Sequence, residues 1–218
     1  MGLVGRRGWH SAIVVAALLA CATSGWAAPS EKATDAIRRG NDRLRELLAK
    51  KTPDQASRDK VNTQLTRELR GLFDIGFLAE RAMVDHWEKM TPKQRTDLKT
   101  TLQQIIEKNY LSQLRGNLDY GIDYLGEVAQ DGNVLVKTAI RAEKEGRPAK
   151  ISVDYRLRVE GDHWRVFDVV TEGVSVLQNY RAQFNRIVAK EGVDGLIARM
   201  RARLEKGEKG PQASSRPG

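Results

Sequence analysis

Few side chains in this sequence stand where they could do acid–base chemistry. Asp168 interrupts an apolar run, Phe167-Asp168-Val169, and a half-buried carboxylate at such a position could act as a general base with a raised pKa. Such a carboxylate is more often an acceptor for an arginine or for backbone N–H groups, and we favour that role. Glu172 stands where a strand is expected to turn into a helix, so capping or an ion pair is the simpler interpretation.

Metal binding has even less support in the sequence. His86 and His163 are the histidines that follow the N-terminal region, and neither has a cysteine or a second histidine at ligand spacing. The only cysteine is Cys21. The chain also lacks a nucleophile with a base beside it and a glycine-rich phosphate loop. We therefore expect no metal site, no cofactor and no catalytic residue.

Aromatic and aliphatic groups dominate the stretch from Trp164 to Phe184, WRVFDVVTEGVSVLQNYRAQF. Its hydrophobic period changes from two residues to a helical one near Glu172-Gly173, so a strand ends there and a helix begins. Apolar groups on a strand and on the helix that follows can enclose an apolar pocket. The same groups would equally form a packed core, and composition alone leaves both possibilities open.

Apolar residues recur at three- and four-residue steps through the first half of the chain, which predicts four helices. The clearest start is Thr91-Pro92-Lys93-Gln94, with threonine as N-cap, proline at the first helical position and glutamine three residues after the cap. This fourth helix should run to about Arg115. The starts expected for the three earlier helices are Ser30, Ser57 and Asp74, and the third helix should carry Phe77, Leu78, Met83 and Trp87.

After Gly116 the period is two, which predicts strands at about 123–129, 133–143, 149–160 and 163–171. One face of this sheet should be buried, because apolar and polar residues alternate along the third strand. Two helices, 174–189 and 193–204, should follow. We predict an α+β domain at 28–206, in which helices pack on one face of an antiparallel sheet of about four strands. The side chains expected to face inward are Ile151, Val153, Tyr155, Leu157 and Val159 on the third strand, and Val174, Leu177, Tyr180 and Phe184 on the helix after the sheet.

The N-terminal residues have the pattern of an export signal, with a basic start, an apolar core and a small-x-small site at Gly25-Trp26-Ala27. We expect a signal peptide at 1–27 and a disordered tail at 207–218. Leu18-Leu19-Ala20-Cys21 also resembles a lipoprotein signal, so anchoring through an acylated Cys21 is the alternative. The net charge of +9 could suit nucleic acid, but an exported protein meets anionic lipid headgroups first, and we expect no nucleic-acid partner.

Several short motifs occur in an order and spacing that resemble the MlaC family, the periplasmic phospholipid-binding proteins once called toluene-tolerance proteins. The resemblance extends from about Ala33 to Leu204. The motifs are Phe73-Asp74-Ile75, His86-Trp87, Thr91-Pro92, Trp164-Arg165-Val166-Phe167-Asp168-Val169, Glu172-Gly173-Val174-Ser175, Asn179-Tyr180-Arg181, Gln183-Phe184 and Gly192-Val193-Asp194-Gly195-Leu196.

The resemblance implies a carrier that holds a glycerophospholipid by its acyl chains in an apolar cleft between sheet and helices. It also implies two partners, an outer-membrane lipoprotein complex and an inner-membrane ABC transporter complex. The family's binding residues form a diffuse apolar lining with no catalytic motif. The residues expected to line the cleft here are Phe77, Leu78, Trp87, Leu102, Ile106, Tyr110, Val153, Tyr155, Leu157, Phe167, Val169, Val174, Leu177, Tyr180 and Phe184.

Two other classes of function remain compatible with the residues. One is a noncatalytic envelope lipoprotein anchored through Cys21, with a filled core and a protein-binding surface. The other is an enzyme of the cone-shaped α+β type that uses Asp168 as base. A carrier should purify with lipid attached, whereas an enzyme should lose its activity with a single carboxylate substitution.

Overall fold

The computed structural model describes Pro29 and residues 31–116, 121–144 and 147–206. The predicted signal peptide at 1–27, with Cys21, and the predicted tail at 207–218 lie outside the described residues, as does Ser30. No helix within the described ranges is both long enough and apolar enough to cross a bilayer.

Four of the five helices in the described ranges precede the sheet, as the apolar spacing predicts. A 3-10 turn, Trp87–Lys89, separates the third from the fourth, so Trp87 does not belong to the third helix. A non-helical backbone at Gly192, where φ is 70°, breaks the last helix at the predicted boundary between two segments. The helices are α1 (Ala33–Leu48), α2 (Gln55–Leu72), α3 (Ile75–Ala82), α4 (Pro92–Gly116) and α5 (Val176–Lys206).

Local hydrogen bonds explain where the helices begin. The predicted box at the start of α4 is confirmed, because the Thr91 N–H donates to the Gln94 side chain at 3.0 Å and the Gln94 N–H donates to the Thr91 hydroxyl at 3.2 Å. Asp74 caps α3 as predicted and accepts from the Phe77 N–H at 2.8 Å. The start predicted at Ser57 is two residues late, since α2 begins at Gln55, and Asp54 caps it by accepting from the Ser57 N–H at 2.7 Å.

The start of α1 also differs from the prediction. Lys32, not Ser30, occupies the N-cap position of α1, and the Lys32 side chain makes no capping hydrogen bond. Three hydrogen bonds to the sheet hold this end of the chain instead. The Trp164 indole N–H donates to the Glu31 carbonyl at 2.9 Å, and the backbone N–H and the hydroxyl of Thr34 each donate to the Glu127 carboxylate at 2.8 Å.

The sheet is an antiparallel meander whose strand order follows the chain order. It has five strands where about four were predicted, since a two-residue strand was not anticipated. The predicted α+β class is confirmed. The strands are β1 (Gly121–Gln130), β2 (Asn133–Lys144), β3 (Arg147–Glu160), β4 (His163–Thr171) and β5 (Val174–Ser175).

The short strand β5 corrects the helix predicted to begin at Val174. Glu172 and Gly173 both have left-handed backbone, with φ of 50° and 79°, so the chain turns back on itself after β4. Val174 then pairs with Thr171 and Ser175 with Val170. The helix starts only at Val176, and Val174 stays 38% exposed instead of facing the sheet.

A bulge in β4 changes which way its side chains point. Arg156 pairs with Asp168 but Leu157 pairs with Val166, so Phe167 is an extra residue without a partner. Asp168 contacts Arg156, on the face of β3 opposite Val153, Tyr155 and Leu157. Phe167 stacks edge-on against Phe77, which also lies under the Arg158 guanidinium. Phe167 and Asp168 therefore point to the same side of β4.

Candidate functional site

Three groups of apolar side chains make up the core. The helical cluster joins α3, α4 and α5 to Phe167, and it includes Leu98, Leu102, Leu177, Tyr180, Phe184 and Leu196. The sheet cluster joins Ile37 of α1 and Leu72 of α2 to Val136, Val153, Tyr155, Leu157 and Val166. The hairpin cluster comprises Leu44, Leu65 and Leu69.

The residues predicted to line one cleft are divided among these clusters. Val174 belongs to none of the described clusters and is exposed, because β5 holds it outside α5. The structure places Phe77, Leu78, Trp87, Leu102, Ile106, Phe167, Leu177, Tyr180 and Phe184 in or against the helical cluster, Val153, Tyr155, Leu157 and Val169 in or against the sheet cluster, and Tyr110 against the hairpin cluster.

Phe73, which was not predicted, lies where the clusters meet. It is partly buried and packs against all three of them. Its ring meets the Tyr110 ring edge-on, with centroids 5.5 Å apart, and its backbone forms a parallel bridge to Val166 of β4. A signal for this position is present in the sequence, since Phe73-Asp74-Ile75 is one of the family motifs. That Phe73 packs against three clusters could not be predicted, because these contacts join residues that are far apart in the sequence.

A groove of about 280 Å³ opens to the surface above Phe73. We call it the Phe73 groove. Its apolar lining includes two of the predicted residues, Ile106 and Tyr110, and its lining also includes charged and polar residues, which we call the rim. The lining residues are Leu69, Phe73, Ile75, Gly76, Ile106 and Tyr110 on the apolar side, and Arg70, Asp74, Gln103, Glu107, Glu160 and Arg165 on the polar side.

Arg70 and Glu107 form an ion pair on the rim, between the end of α2 and the middle of α4. Arg70 Nε and Nη2 donate to the two Glu107 carboxylate oxygens at 2.7 and 3.1 Å. Gln103 holds Glu107 from the other side with a bond of 2.8 Å. The Glu107 carboxylate raises the pKa of Arg70 above its usual value, mainly through this hydrogen bond. The Arg70 side chain is 57% exposed, whereas the Glu107 side chain is only 12% exposed.

The other arginines near the rim have structural partners. Arg165 donates to the carbonyls of Gly71 and Phe73 at 2.8 and 3.1 Å, which satisfies the C-terminal end of α2. Arg158 donates to Asp74 at 2.7 Å while its guanidinium covers the Phe77 ring at 4.5 Å. These contacts tie the α2–α3 connection to β3 and β4.

Asp168 serves the acceptor role that the sequence favoured. Its side chain is fully buried and accepts from Arg156 Nη1 at 3.1 Å, from the Ser175 hydroxyl at 2.7 Å and from the Leu177 N–H at 2.9 Å. We call this group the Asp168 anchor. It joins β3, β4, β5 and the first turn of α5, so the carboxylate is occupied by structural donors.

Glu172 and the histidines have local roles. The Glu172 carboxylate accepts from the Ser152 N–H of β3, so it neither caps α5 nor forms the expected ion pair, because its left-handed backbone turns the side chain toward the sheet. His86 Nε2 lies 3.0 Å from Asn185 Oδ1, and His163 lies 3.0 Å from Asp162. Within residues 31–116, 121–144 and 147–206, no three His, Cys, Asp or Glu side chains converge as a metal site requires.

Comparison with known proteins gives consistent matches. The family model described as "MlaC protein" matches residues 39–202, more than half of the chain. The intermembrane phospholipid transport system binding protein MlaC of Haemophilus influenzae is 21% identical over 142 residues, which cover 64% of this chain and 66% of that protein, less than two thirds of its length.

A solved structure shares the fold. The phospholipid-binding protein from Ralstonia solanacearum, determined in complex with a phospholipid, superposes with a TM-score of 0.69 at 21% sequence identity. The match covers 82% of this chain and 100% of that chain. The same arrangement of sheet and helices therefore exists in a protein crystallised with its lipid.

Proposed function

The chain belongs to the MlaC protein family, and we propose from this premise that it is a periplasmic phospholipid carrier. In this role it would shuttle glycerophospholipid between an outer-membrane lipoprotein complex and an inner-membrane ABC transporter complex, and so maintain the lipid asymmetry of the outer membrane. The observation that carries the proposal is the family match over residues 39–202. The name of the Haemophilus relative and the lipid bound to the Ralstonia protein support it.

The apolar clusters supply the chemistry that a carrier needs. Burying about fourteen methylenes at roughly 0.8 kcal/mol each contributes on the order of 11 kcal/mol per acyl chain. A lipid held in this way would leave very slowly without help. We therefore propose that release requires a docking partner, which opens the protein or offers a competing apolar path.

The meeting of the clusters at Phe73 supports an entry point for the chains. The Phe73 groove is at the lower limit of the roughly 300–1,000 Å³ found for ordinary ligand pockets, so a diacyl lipid needs more space than the groove alone provides. We propose that the chains pass Phe73 and enter the helical cluster, which lies on the Phe167 face of β4. Phe73 is partly buried at this entry, where it packs against all three clusters.

We propose a binding role without catalysis. Three hydrogen-bond donors occupy the Asp168 carboxylate, and this favours a binding protein over an enzyme that uses Asp168 as its base. A general base needs a lone pair that faces its substrate.

Lipid analysis of the purified protein tests the proposal. The exported chain is produced in a lipid-replete bacterium, purified without detergent or added lipid, and examined by native mass spectrometry and organic extraction. We expect about one phospholipid per chain. Markedly sub-stoichiometric lipid in protein that was never delipidated would contradict the carrier function.

Two tryptophan variants locate the chains within the protein. Leu177 is buried in the helical cluster, so Leu177→Trp should fill space that the chains need and lower the lipid content. Extra volume in a packed core typically costs about 1–3 kcal/mol, so thermal unfolding of the lipid-free protein is measured in parallel. Val174→Trp is the matched control, because Val174 is exposed three residues earlier in the chain. Equal lipid content in both variants would contradict chain binding beside Leu177.

A further inference from the structure

We propose that the Phe73 groove binds the headgroup end of the lipid, and that Arg70 binds the phosphodiester. This inference rests on the proposed carrier function and adds a polar subsite to it. The shared chemistry is that of a phosphate oxyanion next to an apolar surface. The geometry favours a lipid headgroup over free phosphate as the source of the phosphate group, because the groove has apolar lining residues that free phosphate would not contact favourably.

The position of the groove fits one end of an amphipathic ligand. Its apolar lining includes Phe73, Ile106 and Tyr110, and Phe73 also packs against all three clusters. Its charged lining includes Arg70, whose side chain is 57% exposed. A phospholipid bound with its headgroup on the rim and its acyl chains past Phe73 would keep the headgroup in contact with water and the chains in contact with apolar side chains.

Arg70 is the more exposed of the two arginines that line the groove, with 57% of its side chain exposed against 22% for Arg165, and it has donors to spare. A guanidinium has five N–H donors in a fixed fork, and Glu107 accepts from two of them, at Nε and Nη2. The Nη1–Nη2 edge remains for a phosphate, which it can bind with two parallel hydrogen bonds. Arg165 is less suited because its guanidinium already donates to the carbonyls of Gly71 and Phe73.

The carboxylates on the rim set the strength of this subsite. Glu107 lies directly against Arg70, and Asp74 and Glu160 line the same groove. Glu107 holds the guanidinium over the groove but repels a second anion. The two members of the ion pair should therefore act in opposite directions on phosphate binding, although either substitution breaks the same contact between α2 and α4.

A competition experiment measures this difference. The delipidated mature protein is offered equal amounts of phosphatidylethanolamine and diacylglycerol with identical acyl chains, and the ratio of the two bound lipids is read by extraction and mass spectrometry. Arg70→Gln should lower the ratio by about tenfold, the effect of losing a charge-assisted hydrogen bond. Glu107→Gln should raise it. Arg67→Gln is the control, because Arg67 lies one turn earlier on α2 and lines a different groove. Each ratio is internal to one sample, so a partly unfolded variant does not distort it.

The outcomes separate the two proposals. If Arg70→Gln and Glu107→Gln shift the ratio in the same direction, or if neither shifts it, the ion pair is only structural and the headgroup subsite is wrong. If the wild-type protein takes up neither lipid, the carrier function itself fails. Titration with glycerophosphoethanolamine and with inorganic phosphate distinguishes the source. We expect no binding of either at millimolar concentration, and Arg70-dependent binding of free phosphate without an effect on the lipid ratio would overturn the lipid assignment.

Discussion

The Asp168 anchor and the rim of the Phe73 groove use the same residue types in opposite surroundings. Each contains an arginine paired with a carboxylate from another element, at 3.1 Å for Arg156–Asp168 and 2.7 Å for Arg70–Glu107. In the anchor the carboxylate is fully buried and has three donors. On the rim the Arg70 side chain is 57% exposed, and Glu107 accepts from two of the five guanidinium N–H groups.

The degree of burial decides whether each ion pair can exchange a partner for a ligand. A carboxylate removed from water must keep all its hydrogen-bond donors, because leaving a buried charge unpaired is very costly in free energy. An exposed pair contributes only about 0–1 kcal/mol and can accept a new partner at little cost. The anchor is therefore committed to the fold, whereas the rim has donors available for a ligand.

Removing the anchor should have the largest effect. Asp168→Ala leaves the Arg156 guanidinium, the Ser175 hydroxyl and the Leu177 N–H without their acceptor, and breaking a buried pair typically costs about 3–5 kcal/mol. Urea unfolding followed by circular dichroism measures the loss. Asp168→Asn keeps one acceptor oxygen and should lose less. A change below about 1 kcal/mol for Asp168→Ala would remove the distinction between anchor and rim.

Unfolding at alkaline pH should test whether water reaches Tyr180 in the helical cluster. Burial raises the pKa of Tyr180 from 10.0 to about 12. Between these values the unfolded chain loses the phenolic proton while the native protein keeps it, so stability falls as the pH rises from about 10 to 12. Two pKa units correspond to about 2–3 kcal/mol. Tyr180→Phe should reduce this fall and match the wild-type pH dependence below pH 9; identical alkaline curves would mean that water reaches Tyr180.

Breaking the rim pair should have the smallest effect on stability. Arg70→Gln should change the free energy of unfolding by about 1 kcal/mol, because Arg70 is 57% exposed and Gln103 still donates to the Glu107 carboxylate, which is 12% exposed. The same urea experiment measures it beside Asp168→Ala. A loss comparable to that of Asp168→Ala would show that the rim is also a structural tie, and Arg70 would then be a poor candidate for an exchangeable contact.

Several features of the fold could be predicted because they depend on neighbours in the chain. The capping hydrogen bonds of Thr91 and Asp74 join residues three apart, and the alternation of Val153, Tyr155 and Leu157 follows from the two-residue period of a strand. The error at Val174 arose at the limit of such local patterns. Its spacing to Leu177 suits a helix, but the pairing of Val174 with Thr171 competes with helix formation and prevails.

The order of the elements, most of their ends, the α+β class and, through the motifs, the family all follow from the amino-acid sequence. Three features follow only from the folded chain: Phe167 and Asp168 share one side of β4, Phe73 joins three clusters, and Arg70 meets Glu107 thirty-seven residues away. Helix caps and strand alternation are set by bonds and geometry within a few residues. Bulges, cluster boundaries and ion pairs between helices depend on how distant segments pack, and a local pattern contains no record of that packing.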